Sequence, residues 1–108
     1  MDNISQQNKT CIESCEDCIA ACESCIDSCK GNSAMKACVR LCEICINACK
    51  DCIASMSAVK VDRDIAMNTC IEACTACAEE CEMHDHQACQ DCATSCRACI
   101  AECESVIS

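Results

Sequence analysis

Cysteines recur at Cys11, Cys15, Cys18, Cys22, Cys25 and Cys29, separated by 4, 3, 4, 3 and 4 residues. Alternating steps of three and four return to one side of an α-helix, the seam that carries Leu or Ile in an ordinary bundle. The rhythm repeats at Cys38, Cys42, Cys45, Cys49 and Cys52, then at Cys70, Cys74, Cys77 and Cys81, then at Cys89, Cys92, Cys96, Cys99 and Cys103. These runs hold all 20 cysteines, and none is out of phase. The pattern predicts four helices whose thiol faces meet along a shared interior.

The 108 residues suit a single domain over 1–108 with one core. Phe, Trp, Tyr and Pro are absent and Gly31 is the only glycine, so few residues break helices and no aromatic mass fills the core. Cysteine at this density would flag a disulfide scaffold in a secreted chain. Residues 1–8 carry neither a basic segment nor an apolar one, so an export signal is not expected and a cytoplasmic location is. In that setting clustered cysteines point to metal rather than to cross-links. No apolar run reaches the roughly 18 residues of a spanning helix. The net charge of −10 argues against nucleic acid and anionic membranes as partners.

Taken in order, helix A is expected from Asn3 or Ser5 to about residue 29, with Asn3 and Gln6 as a weak capping box and Gly31-Asn32 as a left-handed stop. Ile12, Ile19 and Ile26 form a second stripe beside the thiols, and Glu13, Glu16, Asp17, Glu23 and Asp27 an acidic outer face. Ser33 is the expected N-cap of helix B, whose seam opens on Met35 and closes on Met56, flanked by Val39, Ile46 and Ile53. Residues 55–61 make the longest connection, and Asp62 is the expected cap of helix C. Its seam runs from Met67 through the cysteines to His84, with Ile71 on the stripe. A turn at 83–86 holds both histidines, and helix D follows to about residue 107 with Ile100 and Ile107.

Short connections imply antiparallel neighbours, so the expected fold is all-α, an up-down-up-down four-helix bundle with a cysteine-lined core. Its layers should be Cys11, Cys52, Cys70 and Cys103; Cys15, Cys49, Cys74 and Cys99; Cys18, Cys45, Cys77 and Cys96; then Cys22, Cys42, Cys81 and Cys92. Above these come Cys25, Cys38, Cys89 and His84, and a rim of Cys29, Met35, Met83 and His86.

Such a column could serve three ends. Disulfides within one helix are disfavoured, because Cβ atoms at i,i+3 or i,i+4 lie about 5–6 Å apart and a disulfide wants about 3.5–4.5 Å. Bridges between helices remain open, yet stapling needs only a few. Cysteine as a plain small hydrophobe accounts for one or two positions but not for 20 oxidisable thiols. Metal binding uses them all, since thiolates select Cu(I), Zn(II) and iron–sulfur centres. A Cu(I) that replaces one thiol proton leaves the column neutral, and bridging thiolates bring the capacity to about one ion per cysteine, on the order of 20. Roughly five Zn(II) in all-cysteine sites would bury a net charge of about −10. Zinc knuckles and iron–sulfur motifs also sit on loops, whereas these pairs are mid-helical. Charge and spacing therefore select Cu(I).

With its four in-phase thiol runs from Cys11 to Cys103, the chain resembles the bacterial copper storage proteins, and their cytosolic branch in particular. The resemblance implies a four-helix bundle storing many Cu(I) ions on thiolates along its bore, in copper homeostasis and detoxification. It implies all 20 cysteines as metal ligands and an entrance at the end with His and Met, matched by Met35, Met83, His84 and His86. It also implies tetrameric assembly, with a copper chaperone or exporter as the exchange partner.

Histidines in a polar turn are ordinarily solvated, but His84 keeps the phase of the cysteine seam. Met56 and Met67, with Val59, Val61, Ile65 and Val106, are read as an apolar plug at the opposite end. A nucleophile would need a base and an orienting acid, and no acidic residue lies in the seam, so no enzyme is expected. The alternatives to copper storage are a general thiol sink for Zn(II), Cd(II) or Ag(I), and a thiol redox reservoir.

Overall fold

The computed structural model describes residues 3–107, with side chains from residue 6 onward. Four helices follow one another: α1 (Asn3–Cys29), α2 (Lys36–Ala54), α3 (Lys60–Glu82) and α4 (Gln87–Ile107). Short 3₁₀ turns at Ser33–Met35 and Ser55–Ser57 precede and follow α2. The helices pack as a ring, α1 against α2 and α4, α3 against α2 and α4. This is the expected up-down-up-down bundle. A helix of 27 residues is about 40 Å long, close to the full 47 Å of a rod only 21 by 18 Å across.

The interior is made of sulfur. Every cysteine is at most 1% exposed. Ile19, Ile26, Val39, Ile46, Ile53, Ile71, Ile100 and Ile107 lie half-buried against this column, which is the expected aliphatic stripe without Ile12. Buried Ala48, Ala78 and Ala93 add volume where helices approach closely. An aliphatic side chain fully removed from water contributes about 1.5–3 kcal/mol. The stripe therefore holds the helices together independently of what the thiols do.

The helix ends follow local chemistry, with four corrections. Gly31 takes φ 87, the left-handed stop, and Lys30 N–H donates to Ile26 O at 2.8 Å. Asn32 is extended rather than left-handed, and its side chain accepts from Ala34 N–H at 3.0 Å. Asn32 thus caps the 3₁₀ turn, to which Ser33 already belongs, and α2 itself begins after Met35 with no side-chain cap. Asp62 does not cap α3 either. The helix opens two residues earlier at Lys60, leaving Asp62 in the first turn, where a carboxylate complements the positive dipole end. The connection expected over 55–61 shrinks because Ser55–Ser57 stay helical, with the Ser55 hydroxyl donating to Cys52 O at 2.6 Å. The capping box expected at Asn3 lies outside the described side chains.

The plug is smaller than expected. Met67 is fully buried and Met56 and Val106 pack on the core, but Val59, Val61 and Ile65 are 61–69% exposed. Helical phase explains the difference. Four residues below Met67 comes Arg63, so Arg63 takes the inward position and Val61 and Ile65 are turned outward. Its guanidinium reaches Asp64 Oδ1 at 3.4 Å, while its Nε is buried without a hydrogen-bond partner.

Candidate metal centre

Each cysteine holds its place because a straight helix with steps of three and four keeps one stripe facing the axis. Across the bore, α1 faces α4 through Cys11–Cys103, Cys15–Cys99, Cys18–Cys96, Cys22–Cys92 and Cys25–Cys89, with Sγ atoms 3.5–3.7 Å apart. Helix α1 faces α2 through Cys18–Cys45 and Cys25–Cys38, both 3.6 Å. All these pairs match the expected layers.

The register of α3 does not. It pairs with α2 through Cys49–Cys70, Cys45–Cys74, Cys42–Cys77 and Cys38–Cys81, at 3.5–3.8 Å. Every pair is centred on the Val59–Lys60 junction, whereas the expected layers were centred on Val61 or on the Val61–Asp62 junction. The shorter connection draws α3 one seam step along the axis. The levels become Cys15, Cys49, Cys70 and Cys99; Cys18, Cys45, Cys74 and Cys96; and Cys22, Cys42, Cys77 and Cys92, each with sulfurs within 4.8 Å of one another. Cys81, not His84, completes the level of Cys25, Cys38 and Cys89. Below these levels, Cys11, Cys52 and Cys103 group with Cys15, all four sulfurs within 4.8 Å of one another, and α3 carries Met67 one seam step beyond Cys70.

The levels are continuous. Cys22, Cys45, Cys77 and Cys96, drawn from two adjacent levels, also lie within 4.8 Å of one another. All 20 thiols are free. Their closest approach of 3.5 Å exceeds the disulfide length of about 2.05 Å. Burial pushes the Cys25, Cys29 and Cys89 thiols up. Deeper in, Cys22 is pushed up by its hydrogen bonding to Cys18, whose own value is drawn down to about 7 by the same contact. Each Cu(I) that replaces one thiol proton leaves the charge of the column unchanged.

At the other end Met35 is buried, Cys29 lies 3.8 Å from Cys89, and His84 stands at the rim with 22% of its side chain exposed. Its Nε2–H donates to Glu80 Oε2 at 2.8 Å, which leaves Nδ1 with a lone pair for a soft metal. Met83 is 71% exposed and His86 is exposed, so neither joins the bore in this conformation. Glu80 escaped the sequence reading, although Glu and His four residues apart on one helix already signal such a pair.

A column of this kind suits a soft monovalent cation, and comparison with known proteins names the class. The sequence profile of the copper storage protein family matches residues 4–108. The chain belongs to that family. Among solved structures, apo copper storage protein 3 from Bacillus subtilis is 33% identical, covers 93% of this chain and 98% of its own, and superposes with a TM-score of 0.84. Cu(I)-bound copper storage protein BsCsp3 is 31% identical over 94% of this chain and 99% of that one, with a TM-score of 0.86. A cytosolic copper storage protein from Streptomyces lividans, solved with five coppers, is 27% identical over 99% of this chain and 97% of its own, with a TM-score of 0.93. Comparison with curated protein sequences gives no significant match.

Proposed function

We propose that this copper storage protein holds Cu(I) along the whole thiol column, at about one ion per cysteine, with all 20 cysteines as ligands. The observation that carries this reading is the continuity of the column. Each sulfur lies 3.5–4.0 Å from another on a neighbouring helix, so one thiolate can bridge ions above and below it. Copper enters at the end marked by Met35, His84 and Cys29. The role is storage without catalysis, supported by an interior in which, among the described residues, Ser55 and the inward Arg63 accompany the thiols and no acidic residue is buried. Similarity to the Streptomyces protein places the store in the cytosol, where a chaperone or exporter would exchange the metal. Assembly into tetramers belongs to the same reading, and exposed Ile44, Val59, Val61 and Ile65 offer apolar surface for it.

Anaerobic titration of the reduced protein against a competing Cu(I) chelator tests the proposal. Capacity should approach the cysteine count and exceed the zinc capacity severalfold. Saturation at a handful of ions would mean that the thiols work as isolated sites.

A further inference from the structure

The bore ends asymmetrically at its closed end. Cys11 and Cys103 lie 3.6 Å apart, and Cys52 and Cys103 lie 3.9 Å apart. On α1, α2 and α4 this level has a cysteine, and on α3 it has Met67. The α2–α3 pairing centred on Val59–Lys60 puts Met67 opposite Cys52, one seam step below the Cys49–Cys70 pair. Met67 is wholly buried. We propose that its thioether is a metal ligand, a neutral sulfur that caps the terminal Cu(I) site formed by Cys11, Cys15, Cys52 and Cys103. This assignment rests on the storage reading above.

The reason lies in charge at the end of a bridged column. Inside the column a thiolate shares its charge between ions on two levels, so one Cu(I) per thiolate suffices for neutrality. At the last level there is no further ion below, and one more thiolate in place of Met67 would bury a charge without a partner. A thioether is soft enough for Cu(I) and adds no charge. It completes the coordination of the last ion and closes the column. The next inward position on α3 is Arg63, so the ligand row stops there. Methionine as simple packing material is the competing account, because its flexible chain fills irregular gaps. Packing alone, however, would be served equally by leucine.

Selenium makes the distinction. The protein is prepared with selenomethionine and with Met35, Met56 and Met83 changed to Leu, loaded anaerobically with Cu(I), and measured at the selenium X-ray absorption edge. A selenium–copper scattering shell at bonding distance is expected, and it should vanish when Met67→Leu is added, which also subtracts any contribution of Met1. In the otherwise unaltered chain, Met67→Leu should lose about one Cu(I) to a chelator that leaves the parent full. A protein that loads copper near its cysteine count with no selenium–copper shell overturns the assignment and leaves storage standing. Saturation at a few ions overturns the storage reading, and the assignment with it.

Discussion

His84 Nε2 lies 2.8 Å from Glu80 Oε2, one helical turn away, at the rim of the thiol bore. A neutral imidazole that donates its Nε2–H to this carboxylate keeps a lone pair on Nδ1. A neutral imidazole holds Cu(I) less tightly than a thiolate, which suits a transit ligand that passes ions inward. His84→Ala should therefore slow copper loading and removal severalfold while leaving capacity nearly unchanged. Glu80→Ala should give part of the same defect with the imidazole still present. Stopped-flow transfer to a coloured Cu(I) chelator reads both rates. Unchanged rates in His84→Ala, with slowing in a Met56→Leu variant, would move the mouth to the opposite end.

The metal-free, reduced protein should already be helical, because the half-buried aliphatic stripe packs without copper. Ile71→Ala should destabilise that apo fold by about 1–2 kcal/mol, below the range for a fully buried isoleucine. Circular dichroism with urea unfolding is the measurement. A random-coil spectrum for the reduced apo-protein would instead mean that metal drives folding.

Apo stability should fall in alkali. Burial raises the Cys25, Cys29 and Cys89 thiols in the folded state, whereas unfolded thiols titrate near about 8.5. A group raised on folding gives its full stabilisation below the unfolded value and loses it as pH climbs from there toward the folded value. Melting temperatures of the reduced apo-protein should hold steady to about pH 8 and decline above it. The copper-loaded form, whose thiols have already given up their protons, should stay level over the same range.

Cys45 touches Cys18, Cys74 and Cys96 at 3.5–4.0 Å, a node joining three helices besides its own. Cys45→Ser removes a bridging sulfur from the middle of the column, so capacity should drop by about one to two Cu(I). The shorter hydroxyl reaches its neighbours poorly, and a buried polar group left unpaired costs about 1–3 kcal/mol. Chelator titration and thermal melting of the same sample separate the two effects. A variant with full capacity would show that no ion depends on Cys45.

The phase of the cysteines was legible from spacing alone, because a helix turns every 3.6 residues whatever surrounds it. That periodicity sufficed for the bundle, for the burial of every thiol and, with the charge argument, for Cu(I) over Zn(II). The pairing of α1 with α4 was also read correctly. Glu80 lies off the cysteine seam, and only its four-residue spacing from His84 marks it in the sequence. The outward turn of Val61 and Ile65 follows from the helical phase below Met67, which puts Arg63 on the seam in their place.

Spacing along one helix says nothing about how far its neighbour slides along the axis. That offset depends on where α3 begins, and the 3₁₀ turn at Ser55–Ser57 with the start at Lys60 decided it. One seam step moved Cys81 into the place expected for His84, lifted His84 to the rim, and set Met67 in register with Cys52. The sequence by itself determined which side chains face the bore. Only packing of the four helices, which trades turn geometry against the fit of side chains across the axis, determined which of them share a level.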